Sequence, residues 1–498
     1  MLSGLGKQPA AGPSSSNLAH AFAVFVNAID AKGVQAAYDD LLAGLGVQNH
    51  ATSPSLATLS ALLANVLPHR SRQLLVTLGS WRDAHSTAAL TCPSGEMPLR
   101  VAVVGAGPIG LRAAIELAAS GADVEVLEGR ENFSRLQVVH LWEMVEADLI
   151  ELGVKLIDPS IFAAVDLRRV QVCQLQHSLL KVAMLLGVRV RFGCRIDAPA
   201  DLHRHMGARG GVDVLVDASG ARCALLETIG FTQTLALRSA RALCLVVSLV
   251  NRRTTDEHEL RESTWSAQYF PQLFGALAEQ GVALENLVYY QSTGKFSAAA
   301  THYFLMTTDI ASLHAFGALI DPSTVHAHDG TPVDPCRASN VRHFRLEAYA
   351  RAAIKAFVAP LAQHPLVSGE RCVVFDFSTR YTSNRAAAIV PSAIFGSSSR
   401  VGRAGGAGAM VGAMVGSGAG TDAGTDAGGA PQPTGGAPTA APGASPRAVA
   451  GGALAPCLVT RVGDALQEPF WPEVSRRRSN PPERPRQQHS GAVCVCRL

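Results

Sequence analysis

Three glycines, Gly105, Gly107 and Gly110, follow an apolar run and fit the pattern G-x-G-x-x-G. In such a loop the first glycine permits a tight turn and the second lets the backbone approach a pyrophosphate. The third lets the next helix pack closely on the strand. Glu128 stands 18 residues beyond Gly110, where an acid usually holds the hydroxyls of an unphosphorylated adenosine ribose. The spacing therefore predicts a dinucleotide site that takes FAD or NAD.

This chemistry needs a strand, a helix and a second strand to position it. The sequence PLRVAVVGAGPIG (98–110) predicts a buried strand that runs into the glycines, and Leu111–Ala119 is predicted as the helix. That helix would point its free N–H groups at the phosphates. Val124–Leu127 is predicted as the second strand, ending at Glu128. Because all these parts occur in order, residues 99–130 are predicted to form a βαβ unit.

Two later motifs favour FAD over NAD. Asp213–Arg222 is predicted as a strand that ends in a turn of small residues, and Val459–Asp464 as a strand that ends in Gly463-Asp464. In flavoprotein hydroxylases a Gly-Asp pair after a strand brings a carboxylate to the ribityl chain of FAD. Arg130 and Arg135 follow the βαβ unit closely. Each is open to two interpretations, as a solvated surface arginine or as a contact to the adenosine or pyrophosphate.

Composition limits the class of protein. The 498 residues are 48% hydrophobic and carry a formal net charge of +3, which is unlike a general nucleic-acid binder. The ten cysteines are scattered and lack the CxxC pairing of a zinc site, so we expect no metal and reduced thiols. The N-terminus lacks the pattern of a secretory signal, and no apolar run predicts a membrane span.

The chain is predicted to be α/β, with a helical lead-in and low-complexity segments. The helical module is interpreted either as a partner-binding face or, on the pattern of its apolar stripe, as a module that packs on the next domain. Val212–Val216 and Ala242–Leu249 are predicted as strands and residues 343–358 as a helix. The predicted division is disorder over 1–16, the helical module over 17–90, a mixed α/β domain over 99–395, a disordered Gly/Ala-rich insertion over 396–456, a return to the domain over 457–472, and a disordered tail over 473–498.

Longer motifs resemble the flavin monooxygenase domain of the MICAL family. HAFAVFVNAIDAKGVQAAY (20–38) is similar to its helical lead-in, and the likeness covers residues 17–395 and 457–472. The motifs that carry it are VVGAGPIGLRAAIELAASGADVEVLEGRENFSR (103–135), VVHLW (138–142), QLQHSLLKVAMLLGV (174–188), ENLVYY (285–290), THYFLMT (301–307), FDFSTRY (375–381) and VGDALQEPFWP (462–472).

The resemblance implies an FAD-binding Rossmann-like domain of the aromatic-hydroxylase type with an inserted mixed-sheet substrate domain. It implies Trp471 as the catalytic residue beside the isoalloxazine. From the residues alone, Tyr303 and Trp471 are also open to interpretation as buried aromatics, and His302 as a structural histidine. The cofactor-binding residues it implies are Gly105, Gly107, Ile109, Gly110, Glu128, Gly129, Arg130, Arg135, Leu136, Gln137, Ile196, Tyr303 and Asp464.

The activity implied is that of an FAD-dependent, NADPH-consuming monooxygenase that uses O2 to oxidise methionine of F-actin to the sulfoxide. A polar sulfoxide would disrupt an actin–actin contact and promote filament disassembly. A cytoplasmic, cytoskeleton-associated protein is expected, with no nucleic-acid partner. Two alternatives remain open: a flavin hydroxylase of a small aromatic substrate, and an inactive flavoprotein fold that only binds a partner.

The sequence departs from the family in three places. The segment 396–456 interrupts the FAD domain, a loop that the fold tolerates because closure entropy grows slowly with length. QSTGKFSAAA (291–300) is predicted to be a loop insertion. After Pro472 the family continues with a Gly-Thr-Gly turn and a helix whose N-terminus faces the flavin, whereas this chain continues with EVSRRRSNPPERPRQQ. Loss of that helix end predicts weak FAD retention and low activity.

Overall fold

The computed structural model describes residues 15–47, 54–86, 97–162, 169–206, 211–220, 224–238, 242–292, 300–325, 330, 333–395 and 456–462. The helices are α1 (Ser15–Asn27), α2 (Ala31–Gly44), α3 (Leu56–Leu63), α4 (His69–His85), α5 (Pro108–Ala119), α6 (Glu143–Glu151), α7 (Val154–Ile157), α8 (Val172–Leu185), α9 (Pro199–Met206), α10 (Ala224–Glu227), α11 (Thr255–Glu259), α12 (Pro271–Glu279), α13 (Ile310–Ala315) and α14 (His343–Phe357).

The strands fall into a parallel group, an antiparallel group and two short pairs. They are β1 (Arg100–Val104), β2 (Asp123–Leu127), β3 (Val138–His140), β4 (Arg169–Gln171), β5 (Arg189–Arg191), β6 (Val214–Asp217), β7 (Gln233–Arg238), β8 (Ala242–Val250), β9 (Ser263–Ser266), β10 (Leu284–Ser292), β11 (Thr301–Asp309), β12 (Val373–Asp376), β13 (Thr379–Ser383), β14 (Ala387–Pro391) and β15 (Pro456–Arg461).

The first sheet is six-stranded, in the order β14-β15-β6-β1-β2-β5. All neighbours in it are parallel except β14, which runs antiparallel to β15. β1 lies near the centre, and its residues from Val101 to Val104 are buried. A strand covered on both faces by helices and side chains needs such a continuous apolar run. The expected βαβ unit is confirmed: β1, α5 and β2 occur in order, with β1 and β2 in parallel register.

The second sheet is five-stranded and antiparallel, in the order β12-β8-β11-β10-β9. Because side chains alternate along a strand, β10 and β11 present different residues to its two faces. One face, with Tyr289, Phe304 and Met306, packs in a core that also holds buried residues of α12 and α14. The other face, with Tyr290 and Tyr303, packs against Val138 of β3. The sheet therefore turns one face towards the segment that follows the βαβ unit.

The N-terminal helices pack on the parallel domain. Buried residues of all four helices join one apolar core with β1, β2, α5 and α8. Tyr38 of α2 donates a hydrogen bond from its hydroxyl to the carbonyl of Met184 in α8, at 2.8 Å. Asp30 caps α2 by accepting a hydrogen bond from the Gly33 N–H. The packing interpretation of this module is confirmed for its buried faces.

The α/β class and the elements β6, β8 and α14 agree with the sequence predictions. Two boundaries were wrong: α1 begins at Ser15, inside the segment predicted to be disordered, and β10 extends to Ser292, inside the predicted insertion. In β10 the backbone can still pair, because Ser292 lies opposite Thr301. The predictions for residues 1–14, 396–455 and 463–498 fall outside the described residues. Among the described helices, none is long and apolar enough to cross a membrane.

Candidate cofactor site

The three glycines of the loop occupy three different environments. Gly105 has φ +103°, and a Cβ there would lie 2.6 Å from the carbonyl oxygen of Ala218. A Cβ on Gly110 would lie 2.0 Å from the carbonyl oxygen of Gly105. A Cβ on Gly107, in contrast, meets no heavy atom within 4 Å in the described part of the chain. The first and third glycines are therefore required by packing, while the second faces open space.

That open space lies at the N-terminus of α5. Gly107 is the N-cap residue, Pro108 opens the helix, and Ile109 follows in the first turn. The first N–H groups of a helix lack acceptors within it and carry the positive end of the helix dipole. This arrangement is an anion site of the kind that binds phosphate groups.

Glu128 binds the glycine loop directly. Its Oε2 accepts a hydrogen bond from the N–H of Ala106 at 2.8 Å, and its Oε1 accepts one from the N–H of Arg130 at 3.0 Å. Glu128 is buried, with 8% of its surface exposed. An ionised carboxylate has about four lone-pair positions, so about two remain after these bonds. The remaining positions suit the two hydroxyls of a ribose.

The segment after β5 pairs by backbone hydrogen bonds with the segment 128–130. The N–H of Cys194 donates to the Glu128 carbonyl at 2.8 Å, and the N–H of Gly193 donates to the Arg130 carbonyl at 3.0 Å. Ile196 is buried in a cluster that includes Leu127 of β2. The structure therefore brings Ile196 to the strand end that carries Glu128 and leaves Arg130 exposed.

Arg135, Leu136 and Gln137 form an extended segment held by its carbonyls. The Arg135 and Gln137 carbonyls accept hydrogen bonds from backbone N–H groups at the start of α8, and the Leu136 carbonyl accepts one from the Gln171 side chain. Leu136 is buried, whereas Arg135 and Gln137 are exposed. The segment thus has a fixed backbone and two polar side chains that remain accessible.

Gln176 of α8 is not among the residues predicted from the sequence, yet it contacts the glycine loop. Its Nε2 donates to the carbonyl of Ala106 at 2.9 Å, so both backbone groups of Ala106 are held by side chains. The side chain is buried. The QLQ motif, which carries part of the family resemblance, was the signal that could have identified it.

Tyr303 lies on the antiparallel sheet, on the face that packs against Val138. Its ring stacks with that of Tyr290, with centroids 6.4 Å apart and an angle of 4°. Burial raises the pKa of Tyr303 well above its usual value, so its hydroxyl stays protonated. Val138 directly follows Gln137, and Tyr303 is therefore brought close to the segment 135–137.

Arg169 of β4 contacts the sheet face that carries Tyr290 and Tyr303. Its guanidinium lies 5.3 Å from the centre of the Tyr290 ring, forms an ion pair with Glu262 and donates to the Gln291 carbonyl at 2.7 Å. Burial lowers the pKa of Arg169, and Glu262 opposes that shift. Cation–π contact and the ion pair fix the tyrosine-bearing face relative to β4.

The predicted site residues thus fall into linked groups. The glycine loop and Glu128 meet the Ile196 segment, and α8 connects that loop to the 135–137 segment. Tyr303 packs in one cluster with Val138, the residue that follows this segment. Asp464 and Trp471 lie outside the described residues. The strand that precedes Asp464, β15, is described and pairs in parallel with β6.

Family profiles match two parts of the chain. Residues 241–364 match the profile described as "Mical, Rossman domain", which here lies on the antiparallel sheet and its helices. Residues 74–188 match the profile described as "Pyridine nucleotide-disulphide oxidoreductase", a stretch that contains the glycine loop and α8.

Curated relatives are similar over half of the chain or more. The F-actin-monooxygenase mical1 of Danio rerio is 37% identical over 263 residues, which are 50% of this chain and 20% of that protein. The F-actin-monooxygenase Mical of Drosophila melanogaster is 34% identical over 275 residues, 51% of this chain and 5% of that protein. The F-actin-monooxygenase MICAL1 of Rattus norvegicus is 33% identical over 331 residues, 62% of this chain and 29% of that protein. The chain spans less than a third of the length of these relatives.

Among solved structures, the tetrameric form of 2-methyl-3-hydroxypyridine-5-carboxylic acid oxygenase is similar at a TM-score of 0.35 and 16% identity. The match covers 58% of this chain and 72% of that chain.

Proposed function

We propose that the chain belongs to the MICAL family of flavoprotein monooxygenases, which its profile match and its curated relatives support, and that it is an FAD-dependent, NADPH-consuming monooxygenase that uses O2 to oxidise methionine of F-actin. The observation that carries the proposal is the loop at Gly107, which is open at a helix N-terminus and flanked by a buried acid. Promotion of filament disassembly and an association with the cytoskeleton in the cytoplasm are part of the same proposal.

The described residues offer candidate contacts for the pyrophosphate and the adenosine ribose of FAD. The backbone of Gly105, Gly107, Ile109 and Gly110 would cradle the pyrophosphate, because the first turn of α5 offers N–H groups and Gly107 has no Cβ at the open position. Gly105 would contribute the turn, since its own N–H donates to the Leu127 carbonyl. Glu128 would accept the ribose hydroxyls with the lone pairs that its two backbone bonds leave free.

The remaining proposed contacts divide between the two halves of the cofactor. Gly129, Arg130 and Ile196 would contact the adenosine, since they adjoin the end of β2. Arg135, Leu136 and Gln137 would line the path from the pyrophosphate to the flavin, with Tyr303 beside the flavin end. Asp464 would hold the ribityl chain and Trp471 would stand beside the isoalloxazine, as the family resemblance implies.

The bound flavin would supply electron transfer from NADPH to O2 and oxygen transfer to sulfur. The protein would then contribute binding, orientation and exclusion of water. One face of the antiparallel sheet is turned towards residues 135–137 and carries a buried, mainly apolar surface. This surface consists of the stacked pair Tyr290–Tyr303 and their neighbours Val138 and Val246. Oxidation of a thioether needs no general base, so the proposed reaction requires no titrating side chain on this surface.

We propose the domain division that follows from this site. Residues 99–395 and 457–472 would form the monooxygenase domain, with 17–90 as a helical module packed on it and 396–456 as an insertion. The parallel pairing of β15 with β6 supports the return of the chain to the domain after the insertion, since β15 fills a position inside the six-stranded sheet.

The test is the flavin content and activity of the purified 498-residue chain. We expect a flavin absorbance spectrum after FAD addition, NADPH consumption that rises with F-actin, and methionine sulfoxide in the actin by mass spectrometry. Protein that cannot take up FAD would contradict the enzyme proposal and leave a binding-only fold. NADPH consumption that rises with a small aromatic compound but leaves actin methionines unmodified would contradict the actin substrate alone.

A further inference from the structure

A Glu–His–His cluster lies at one end of the antiparallel sheet, outside the residues proposed to bind FAD. Glu257 is in α11, His302 is in β11, and His364 follows the short helix Ala359–Leu361. Glu257 Oε1 lies 3.4 Å from His302 Nε2 and 3.3 Å from His364 Nδ1. The three potential ligand atoms all lie within 4.8 Å of one another.

His302 directs an unsatisfied nitrogen into this cluster. Its side chain is fully buried, and its Nδ1 lies 2.9 Å from the hydroxyl oxygen of Tyr289. Its Nε2 has no hydrogen-bond partner in the described part of the chain. A metal-binding histidine usually donates its other ring N–H to a partner that fixes the tautomer. In the tautomer whose Nδ1–H donates to Tyr289, the lone pair of Nε2 points at Glu257 Oε1, 3.4 Å away, and both atoms could bind a cation placed between them.

Glu257 is held in place independently of the histidines. Its Oε2 accepts hydrogen bonds from the Thr254 N–H at 2.9 Å and the Thr254 hydroxyl at 3.1 Å, and its Oε1 accepts one from the Arg252 N–H at 3.2 Å. The bond from the Thr254 N–H and a bond from the Glu257 N–H to the Thr254 hydroxyl, at 3.3 Å, form a capping box at the start of α11. The carboxylate is therefore oriented and buried by contacts that lie outside the two histidines.

His364 supplies the third ligand and the path to solvent. Its side chain is 15% exposed, whereas those of His302 and Glu257 are 0% and 6% exposed. Its Nδ1 also lies 3.1 Å from the carbonyl oxygen of Val250, at the end of β8, so Nδ1–H can donate there in the metal-free chain and zinc binding would replace that proton. A cation could enter past His364 and keep a water molecule on that side as a further ligand.

We propose that Glu257, His302 and His364 bind one Zn²⁺ ion. Zinc bonds of about 2.0–2.2 Å to nitrogen and oxygen place the ligand atoms of a tetrahedron about 3.3–3.5 Å apart. The two separations from Glu257 Oε1, 3.4 and 3.3 Å, agree with that value. Two imidazoles with one carboxylate favour zinc over Mg²⁺ or Ca²⁺, which prefer oxygen ligands throughout.

The ion would be structural. Its ligands come from α11, the start of β11 and the loop after α14, so the bound ion would cross-link these three segments. Tyr303 is the next residue after His302 and lies on the opposite face of β11, so the same ion would fix the strand that presents Tyr303. This inference does not depend on FAD binding, since no proposed FAD contact belongs to the cluster.

The experiment uses the full chain purified without a polyhistidine tag. The metal content is measured by mass spectrometry after dialysis against Zn²⁺, and the zinc affinity by competition with a chromogenic chelator. We expect one Zn²⁺ per chain, and an affinity at least about tenfold lower in both His364→Gln and Glu257→Gln. Glutamine is compatible with the capping box, so Glu257→Gln preserves the helix start. His314→Gln, an exposed histidine of α13, is the matched control and should bind zinc like the unsubstituted chain.

A second measurement separates zinc binding from hydrogen bonding alone. Added Zn²⁺ should raise the thermal unfolding midpoint of the unsubstituted chain and of His314→Gln but not of His364→Gln, because a ligand that binds only the folded state stabilises it. A chain that retains no zinc, or an affinity unchanged in His364→Gln, would overturn the proposal and leave a protonated, hydrogen-bonded cluster. Because His364 is partly exposed, that variant decides the question even where Glu257→Gln fails to fold.

Discussion

Arg461 and Asp217 form an ion pair across β15 and β6 in the interior of the parallel sheet. Arg461 Nε lies 3.2 Å from Asp217 Oδ2, and the two side chains are 2% and 1% exposed. Arg461 also lies 5.4 Å from the centre of the Phe231 ring and donates to the Ser383 hydroxyl. The pair fixes the last described strand immediately before Gly463-Asp464, the motif proposed to reach the ribityl chain.

Removal of one partner from this pair should be strongly destabilising. Arg461→Ala leaves a buried carboxylate without its countercharge, so we expect a loss of about 3–5 kcal/mol in the free energy of unfolding. Urea denaturation monitored by circular dichroism measures the loss. The control is Arg195→Ala, which breaks the exposed pair with Asp197 and should change stability by less than about 1 kcal/mol.

A double variant tests whether the loss of stability in Arg461→Ala comes from the unpaired charge of Asp217. Replacement of both partners, as in Asp217→Asn with Arg461→Met, should recover part of the stability lost in Arg461→Ala, because no buried charge remains unpaired. Equal losses in the single and double variants would mean that the packing of Arg461 against Phe231 and Ser383, rather than the charge pair, stabilises β15.

The two glycines of the loop should respond differently to the same substitution. Gly107→Ala should leave the stability of the FAD-free chain unchanged within about 0.5 kcal/mol, because φ is −63° and the new Cβ meets open space. It should weaken FAD binding, since that space is where the pyrophosphate would lie. Fluorescence titration with FAD and thermal unfolding without FAD give the two measurements.

Gly110→Ala is the comparison. Its Cβ would lie 2.0 Å from the Gly105 carbonyl oxygen, so the FAD-free chain should lose about 1–3 kcal/mol. If Gly107→Ala binds FAD as tightly as the unsubstituted chain, the pyrophosphate does not bind at this helix N-terminus.

Glu128→Ala should lower the affinity for FAD about tenfold to a hundredfold. The reason is that hydrogen bonds to a charged group contribute about 1.5–3 kcal/mol. The variant also removes the two bonds to the backbone of Ala106 and Arg130. Unfolding of the FAD-free chain therefore has to be measured beside the FAD titration. Glu131→Ala, an exposed neighbour whose ion pair with Lys32 is 71% exposed on each side, is the matched control. An affinity unchanged in Glu128→Ala would refute the ribose contact.

His177 should make the protein less stable as the pH falls below neutrality. Burial, aided by the charge of Lys181, lowers the pKa of His177 to about 4, although Asp30 opposes the shift. An unfolded histidine titrates near 6.5, so between about pH 6.5 and 4 the unfolded state binds the extra proton. Stability is therefore full above pH 6.5 and falls by about 3 kcal/mol as the pH approaches 4.

The measurement is the urea midpoint as a function of pH. His177→Leu should remove this part of the pH dependence, because leucine fills the same apolar surroundings beside Phe133 and takes up no proton. The exposed His314→Leu should retain the dependence of the unsubstituted chain. A His177→Leu variant with an unchanged pH profile would assign the dependence to other groups.

The sequence alone determined the local parts of this protein. The glycine spacing and the apolar runs predicted β1, α5 and β2, because turn conformation and strand burial depend on residues that are near one another in the chain. The same pattern predicted β6, β8 and α14. It misplaced the ends of α1 and β10, where propensity is weak and pairing across the sheet decides which residues join the strand.

Only the tertiary structure decided which distant residues meet. Gln176 contacts the carbonyl of Ala106 and Arg461 pairs with Asp217, and no local pattern in the chain indicates which distant partner either residue meets. Glu257, His302 and His364 are separated by 45 and 62 residues, so no spacing rule could indicate a metal site, and the sequence predicted none. Local conformational preferences are set within a few residues. Long-range contacts, in contrast, depend on how the sheets and helices pack into a shared core and on which charged side chains become paired when they are buried in it.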